Sequence, residues 1–385
     1  MLSIERKICD ILIKYRYILF FIIISVLALI VRLPGLDFVS LDMEHYILPW
    51  MNDIVEHGRL DGMGQRIGEY NVFFQFMLTL LSYLDINPIY LAKAIPIIFD
   101  FVLAFGSAMF MGFTLTKSRV IFILTYTFIL FCPTVFLNSS VWGQCDSIYC
   151  SFLLFTIYAL YRGEFTKSFI FYGLALSFKL QAIFLLPFII IYYFHKKSFS
   201  ILNLLISFIV YFGVNSIGIF WGRDILEPFK VYTMQVNLYE EMWMNFPSFW
   251  QLIGNNYAVL SKIAIILTIA VLGLILLLVI SGKKKIDTCD EFFEVCVLCF
   301  WTVLMFLPAM HDRYAYFLDL MLLLSAFVNP KHIKYAICCI VMSCMSYGFY
   351  LFGGIVLSWH ALVYFIFYLL FVCDVFYRKE DKHIV

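Results

Sequence analysis

Residues 17–31 read YILFFIIISVLALIV, an unbroken run without a charged side chain. Arg6, Lys7, Lys14 and Arg16 precede it and Arg32-Leu33-Pro34-Gly35 follow it. A hydrocarbon core about 30 Å thick takes roughly 20 apolar residues of helix, so this stretch is the first candidate span. No small-residue cleavage site follows, and it reads as an uncleaved anchor rather than a removed signal peptide. Similar runs recur near 93–115, 119–136, 147–161, 201–219, 258–280, 291–307, 314–328, 333–351 and 355–375. The stretch 168–194 exceeds one span, is basic at both ends and carries Lys179-Leu180-Gln181 in its middle, which fits a hairpin of two short helices. The expectation is an all-α polytopic membrane protein, a single transmembrane domain over residues 1–385 with about twelve crossings and both termini on one side.

Composition agrees. Of the 385 residues 63% are hydrophobic and 14% charged, against about 45–50% and about 25% in soluble proteins. A secreted domain, a cytosolic enzyme and a disordered tail are excluded. Net charge is +1, so bulk charge attracts no nucleic acid. Most of the eleven cysteines sit in apolar runs as small hydrophobes. Cys296-x-x-Cys299 has no second pair with which to build a zinc site.

Basic residues orient the chain. Arg6, Lys7, Lys14, Arg16, Lys117, Arg119, Arg162, Lys167, Lys196, Lys197, Lys283–Lys285, Lys331, Lys334, Arg378, Lys379 and Lys382 fall on one set of connections, which the positive-inside rule makes cytoplasmic. Asp37, Asp42, Glu44, Asp53, Glu56, Asp61, Glu69, Asp146, Asp224, Glu227, Glu240, Glu241 and Asp312 collect on the opposite face. That face carries two long loops, about 34–92 and 220–257, and two short polar ones, 137–146 and 308–313. Long loops in compact proteins are functional or disordered, and the aromatic content of these two argues against disorder. Residues 71–84 are apolar but too short to span, which suggests a re-entrant or interfacial helix. No internal repeat of the kind transporters carry is evident.

Four polar constellations bear chemistry. Asp42 and Glu44 follow the first span; an acid at a membrane surface can serve as a general base, or be a solvated loop acid or helix cap. Trp142-Gly143-Gln144-Cys145-Asp146 offers a flat ring and bidentate polar groups suited to a sugar; an interfacial tryptophan followed by a cap is the plain alternative. His311-Asp312-Arg313 supplies donors for a phosphate, or merely ends two helices. Lys179, beside Gln181, lies at membrane depth, where ionisable groups are functional by default or snorkel to the interface. Asp100 and Asp319 fall inside spans and can be bound by neighbouring helices. No G-x-S-x-G, H-E-x-x-H, P-loop or dinucleotide motif occurs.

Nucleotides are absent outside the cytoplasmic membrane, so an enzyme acting there draws activated groups from the bilayer. A polyprenyl-phosphate sugar fits, with Asp42 as base for an acceptor hydroxyl, His311 and Arg313 (with Lys179 or Arg66) as phosphate partners, and Trp142, Gln144 and Asp146 as the sugar cradle.

From about residue 15 to 330 the chain resembles the GT-C superfamily of integral-membrane glycosyltransferases, nearest the bacterial relatives of PIG-V-type GPI mannosyltransferases. The matching segments are Asp42 with Pro49-Trp50, Gly68-Glu69-Tyr70-Asn71, Trp142-Gly143-Gln144-x-Asp146, Gly173-Leu174-Ala175 with Phe178-Lys179-x-Gln181, Asn245-x-Pro247-Ser248-x-Trp250 and Met310-His311-Asp312-Arg313-Tyr314. The resemblance implies a GT-C-like bundle of about 11–13 helices and transfer of a sugar from a polyprenyl-phosphate donor to a lipid-linked or cell-surface glycan. Asp42 would be the base, Glu44, Tyr70 and Gln181 would join the sugar and acceptor set, and no cofactor is required, although Asp42-x-Glu44 could hold a divalent metal. The family's Tyr-Pro-Pro is Tyr70-Asn71-Val72 here, and its His-Glu-Arg-Tyr is His311-Asp312-Arg313-Tyr314. With one base and no carboxylate placed as nucleophile, the expected outcome is inversion. A polysaccharide repeat-unit polymerase and a flippase or transporter of lipid-linked sugars are the alternatives.

Overall fold

The structure is a computed structural model that describes residues 3–236, 238–354 and 358–377. Its helices are α1 (Ser3–Arg32), α2 (Leu48–Glu56), α3 (Val72–Leu81), α4 (Pro88–Ala108), α5 (Arg119–Leu130), α6 (Pro133–Phe136), α7 (Asp146–Tyr161), α8 (Phe165–Phe178), α9 (Leu186–Lys196), α10 (Leu204–Asn215), α11 (Glu227–Val236), α12 (Trp250–Ile253), α13 (Tyr257–Ile280), α14 (Cys289–Phe306), α15 (Tyr316–Val328), α16 (Ile333–Phe352) and α17 (Ser358–Tyr377). Among the described residues, strand occurs only as β1 (Trp243–Met244) and β2 (Met310–His311), which pair in parallel. The protein is an all-α polytopic membrane protein.

Among the described residues, six helical stretches are long and apolar enough to cross a bilayer: Ile4–Gly35, Pro88–Leu115, Ile201–Trp221, Tyr257–Ile280, Pro330–Phe352 and Ser358–Tyr377. Arg119–Leu130 with Pro133–Trp142, bent by 50°, makes a seventh if the pair is one span. The other five of the twelve expected crossings are α7, α8, α9, α14 and α15. At 1.5 Å per residue, the 16 residues of α7 reach only about 24 Å, and α8, α9 and α15 are shorter still. The difference has a packing reason. Every residue of α14 from Phe292 to Phe306 is buried, as are most of α7 and α15, so these helices are apolar because they form the core. The long stretches α1, Ile201–Trp221 and α13 form the rim. Along α13, Val259, Ile263, Ile266, Ile269, Leu274 and Leu277 are exposed, a continuous lipid-facing stripe.

The 168–194 hairpin is present. Helix α8 ends at Lys179, whose extended backbone (φ −144°, ψ 139°) breaks the run before a 3₁₀ turn and α9. The chain doubles back far enough for Phe165 and Phe199 to stack at 4.7 Å. Helix α3 is a ten-residue helix opened by Asn71, whose side chain accepts from the Val72 amide, as expected for a non-spanning element of the first long loop. Cys296 and Cys299 are buried in the face of α14.

Two buried cations lock the start of the bundle. Arg32 donates from Nε and Nη2 to Asp100 Oδ2 at 2.9 and 2.8 Å, so the Asp100 charge is met by the residue that closes α1. Lys93, wholly buried on α4, donates to the carbonyls of Gly35 and Phe38 at 2.7 and 2.6 Å. The turn leading to Asp42 is thereby fastened to α4.

Candidate active site

Two π-helical turns set the site. Residues Met43–Ile47 form one and Leu137–Trp142 the other, and such widened turns recur at functional sites. Gly143 ends the second with φ +76°, and a Cβ there would lie 2.6 Å from Met43 Sδ, so only glycine lets the segments meet. Ser40 joins them: its hydroxyl donates to the Trp142 carbonyl at 2.7 Å and accepts from the Met43 amide.

This contact brings Asp42 among four donors from three distant stretches. Its Oδ2 accepts from Trp142 Nε1 at 2.9 Å, from Arg313 Nη1 at 3.3 Å and from Gln144 Nε2; its Oδ1 accepts from the Tyr350 hydroxyl. Burial alone would raise the Asp42 pKa, but Arg313, Tyr350 and Trp142 outweigh it and hold the carboxyl below the usual aspartate range. Asp42 is therefore ionised at neutral pH.

Asp146, at the N-terminus of α7, anchors a second layer. Lys179 donates to its Oδ1 at 2.6 Å, Asn138 donates to its Oδ2 at 2.8 Å, and Arg313 Nε lies 3.8 Å from it. Lys179 is 4% exposed and turned inward, which removes the snorkelling alternative. Gln144 links the layers, its Oε1 accepting from Tyr70 at 3.2 Å and Lys179 at 3.4 Å. Two carboxylates thus face two cations in a buried cluster.

The His311 turn is held by the second long loop. β1 pairs with β2, and the Asp312 amide donates to the Met244 carbonyl at 3.1 Å. Ala309 and Asn245 take left-handed backbone (φ +58° each) beside this ladder, local strain of the kind concentrated at functional sites. The His311 ring sits edge-on to Tyr239 at 4.8 Å. Burial, aided by the Arg313 charge, pushes its pKa down to about 3. His311 is neutral and meets a ligand as a hydrogen-bond donor or acceptor, leaving Arg313 and Lys179 as the cations on the wall. Burial pushes Asp312 the other way, up to about 7 against the pull of Arg313.

These groups line a cavity of about 670 Å³, within the range of small-ligand sites. Asp42, Tyr70, Gln144, Lys179, Gln181, His311 and Arg313 are on its wall, together with the apolar Leu180, Ile183, Phe184, Ile265 and Leu307. Trp142 and Asp146 stand behind the wall and orient it. Two expected members are elsewhere. Glu44 is exposed and off the cavity, because the π-turn after Asp42 carries it outward, so Asp42-x-Glu44 does not form a metal site there. Arg66 lines a neighbouring cleft, donates to the Gly68 carbonyl at 3.3 Å and lies 4.0 Å from Glu227.

Compared with known proteins, the chain matches no protein-family model and no curated protein. The site stands on its own geometry.

Sequence reading missed Tyr350. It comes from α16, stacks on Trp142 (4.6 Å, 17° between planes) and bonds Asp42, yet nothing in the run Ser346-Tyr347-Gly348-Phe349-Tyr350 separates it from ordinary membrane aromatics. Asn138 was missed too, although its place in the short polar loop eight residues before Asp146 was a usable signal.

Proposed function

We propose that the chain is a membrane-embedded glycosyltransferase of GT-C type, moving a sugar from a polyprenyl-phosphate donor to a lipid-linked or surface glycan on the external face, with inversion. The observation that carries this reading is the convergence of Trp142, Gln144, Tyr350 and Arg313 on the Asp42 carboxylate at the wall of a cavity lined by both polar and apolar side chains. The polar groups suit a sugar and a phosphate, and the apolar ones suit an isoprenoid chain.

In this reading the free lone pair of Asp42 Oδ1 accepts the proton of the acceptor hydroxyl as its oxygen attacks the anomeric carbon and the bond to the donor phosphate breaks. Asp42 is a weak base, which suits an oxocarbenium-like transition state in which the leaving phosphate departs ahead of the proton. Arg313 meets the phosphate by swinging one N–H from Asp42, and that movement frees the carboxylate as the anion arrives. Lys179 keeps Asp146 neutralised, and Gln144 and Tyr70 offer hydrogen bonds to sugar hydroxyls. His311 contributes a neutral hydrogen bond.

The test is mass spectrometry of lipid-linked and surface glycans from cells with and without the gene. A glycan one sugar short in the deletion supports transfer and identifies the sugar. Complete repeat units left unjoined would instead indicate a polymerase. Covalently normal glycans with altered leaflet distribution would indicate a transporter and overturn the proposal.

A further inference from the structure

At the opposite end of the bundle from the cavity, α14 begins with Asp290 and Glu294, one helical turn apart on the same face. His332, in the turn before α16, lies against that face and is wholly buried. Its Nε2 sits 3.5 Å from Glu294 Oε1 without making a hydrogen bond, and its Nδ1 is 3.8 Å from Asp290 Oδ1. One ligand atom from each residue fits within 4.8 Å of the others. Two ligand atoms at tetrahedral angles around a zinc-sized ion, each about 2.1 Å from it, are roughly 3.4 Å apart. The His332–Glu294 separation is already there.

The far side of each ligand is held from outside. Ser325 Oγ and His332 Nδ1 are 2.6 Å apart, Lys284 Nζ donates to Glu294 Oε2 at 2.6 Å, and Asn329 Nδ2 donates to Asp290 Oδ2 at 2.7 Å. Outer partners that fix the tautomer of a histidine and the rotamer of a carboxylate are what a metal site requires beyond its ligands. In the tautomer that donates from Nδ1–H to Ser325, Nε2 turns its lone pair toward Glu294 Oε1, 3.5 Å away, where a cation would bridge the two.

We propose that Asp290, Glu294 and His332 bind a divalent transition metal of the zinc or manganese type, a ligand set of one imidazole and two carboxylates that suits these ions. The ion ties the start of α14 to the turn between α15 and α16, and is structural, remote from the cavity and independent of the reaction proposed for it. Lys284 remains on the outer oxygen of Glu294 as part of the support.

The test uses the full-length protein in detergent, stripped with chelator, titrated with zinc or manganese, desalted and assayed for bound metal by elemental mass spectrometry. About one equivalent should remain on the wild type. Glu294→Gln and His332→Ala should lose it. Ser325→Ala should weaken affinity by about 10–100-fold. The double variant Cys296→Ser/Cys299→Ser should keep it, since those thiols lie elsewhere on α14. Metal should raise the melting temperature of the wild type and leave that of Glu294→Gln unmoved, a readout that survives if His332→Ala folds poorly. Equal metal content in wild type and Glu294→Gln, or loss only in the cysteine variant, would overturn the proposal and leave a polar knot of hydrogen bonds.

Discussion

At the scale of single residues the account rests on Asp42 being ionised and held. Removing one donor while keeping shape tests this. Trp142→Phe keeps the ring stack with Tyr350 but deletes the N–H bonded to Asp42. A hydrogen bond to a charged group contributes about 1.5–3 kcal/mol, so transfer should fall roughly tenfold to a hundredfold, and Tyr350→Phe, which removes the donor to the other oxygen, should lower it as well; quantifying product in complemented cells checks both. The pair His311 and Asp312 makes a second prediction. Neutral His311 lets only the unfolded chain take a proton between about pH 3 and the ordinary histidine value of about 6.5, so it makes stability rise with pH there. Asp312 acts oppositely: its folded pKa of about 7 exceeds the ordinary aspartate value of about 3.9, so its contribution falls as pH rises between those values. The two slopes nearly cancel between about pH 4 and 6.5. His311→Gln should expose the second one, and its melting temperature should fall from pH 4 to pH 7 relative to that of the wild type. A flat profile in the variant would mean that Asp312 does not retain its proton.

At the scale of elements, what the sequence made legible was anything with a period or a charge. The anchor 17–31 and the Lys179 break in the 168–194 hairpin could be read because a polar residue interrupts an apolar run. Equally readable were the three short polar motifs around Asp42, Trp142 and Arg313, which lie on separate loops and do meet. What could not be read was which apolar runs face lipid and which face protein. Leu and Phe are equally apolar in both settings, so α14 and α13 look alike until burial separates them. The partner of Asp100 was equally hidden, because Arg32 reads as the basic flank of an anchor rather than as a buried ion. Breaking a buried pair by removing one partner costs about 3–5 kcal/mol. Arg32→Met should therefore lower detergent stability by that order, and Asp100→Asn added to it should restore part of the loss; thermal unfolding followed by tryptophan fluorescence decides this.

At the scale of the whole molecule, the site end carries α1, α8, α14 and α16 by their C-termini, and the lysine turn 283–285 lies at the other end. By the positive-inside rule we propose that the cavity faces outward. Cysteines placed at exposed Glu44 and Lys283 should label with an impermeant thiol reagent from opposite sides of the membrane, Glu44→Cys in intact cells and Lys283→Cys only after permeabilisation. The reverse would place the cavity where nucleotide donors are available and remove the reason for a lipid-borne one. The central claim is that Asp42 accepts the acceptor's proton, and the most direct test is the glycan profile of deletion cells complemented with Asp42→Asn at wild-type membrane levels. General-base catalysis contributes about 10²–10⁴-fold, so the variant should reproduce the truncated glycan of the deletion. Full-length glycan at near-normal abundance would contradict the account.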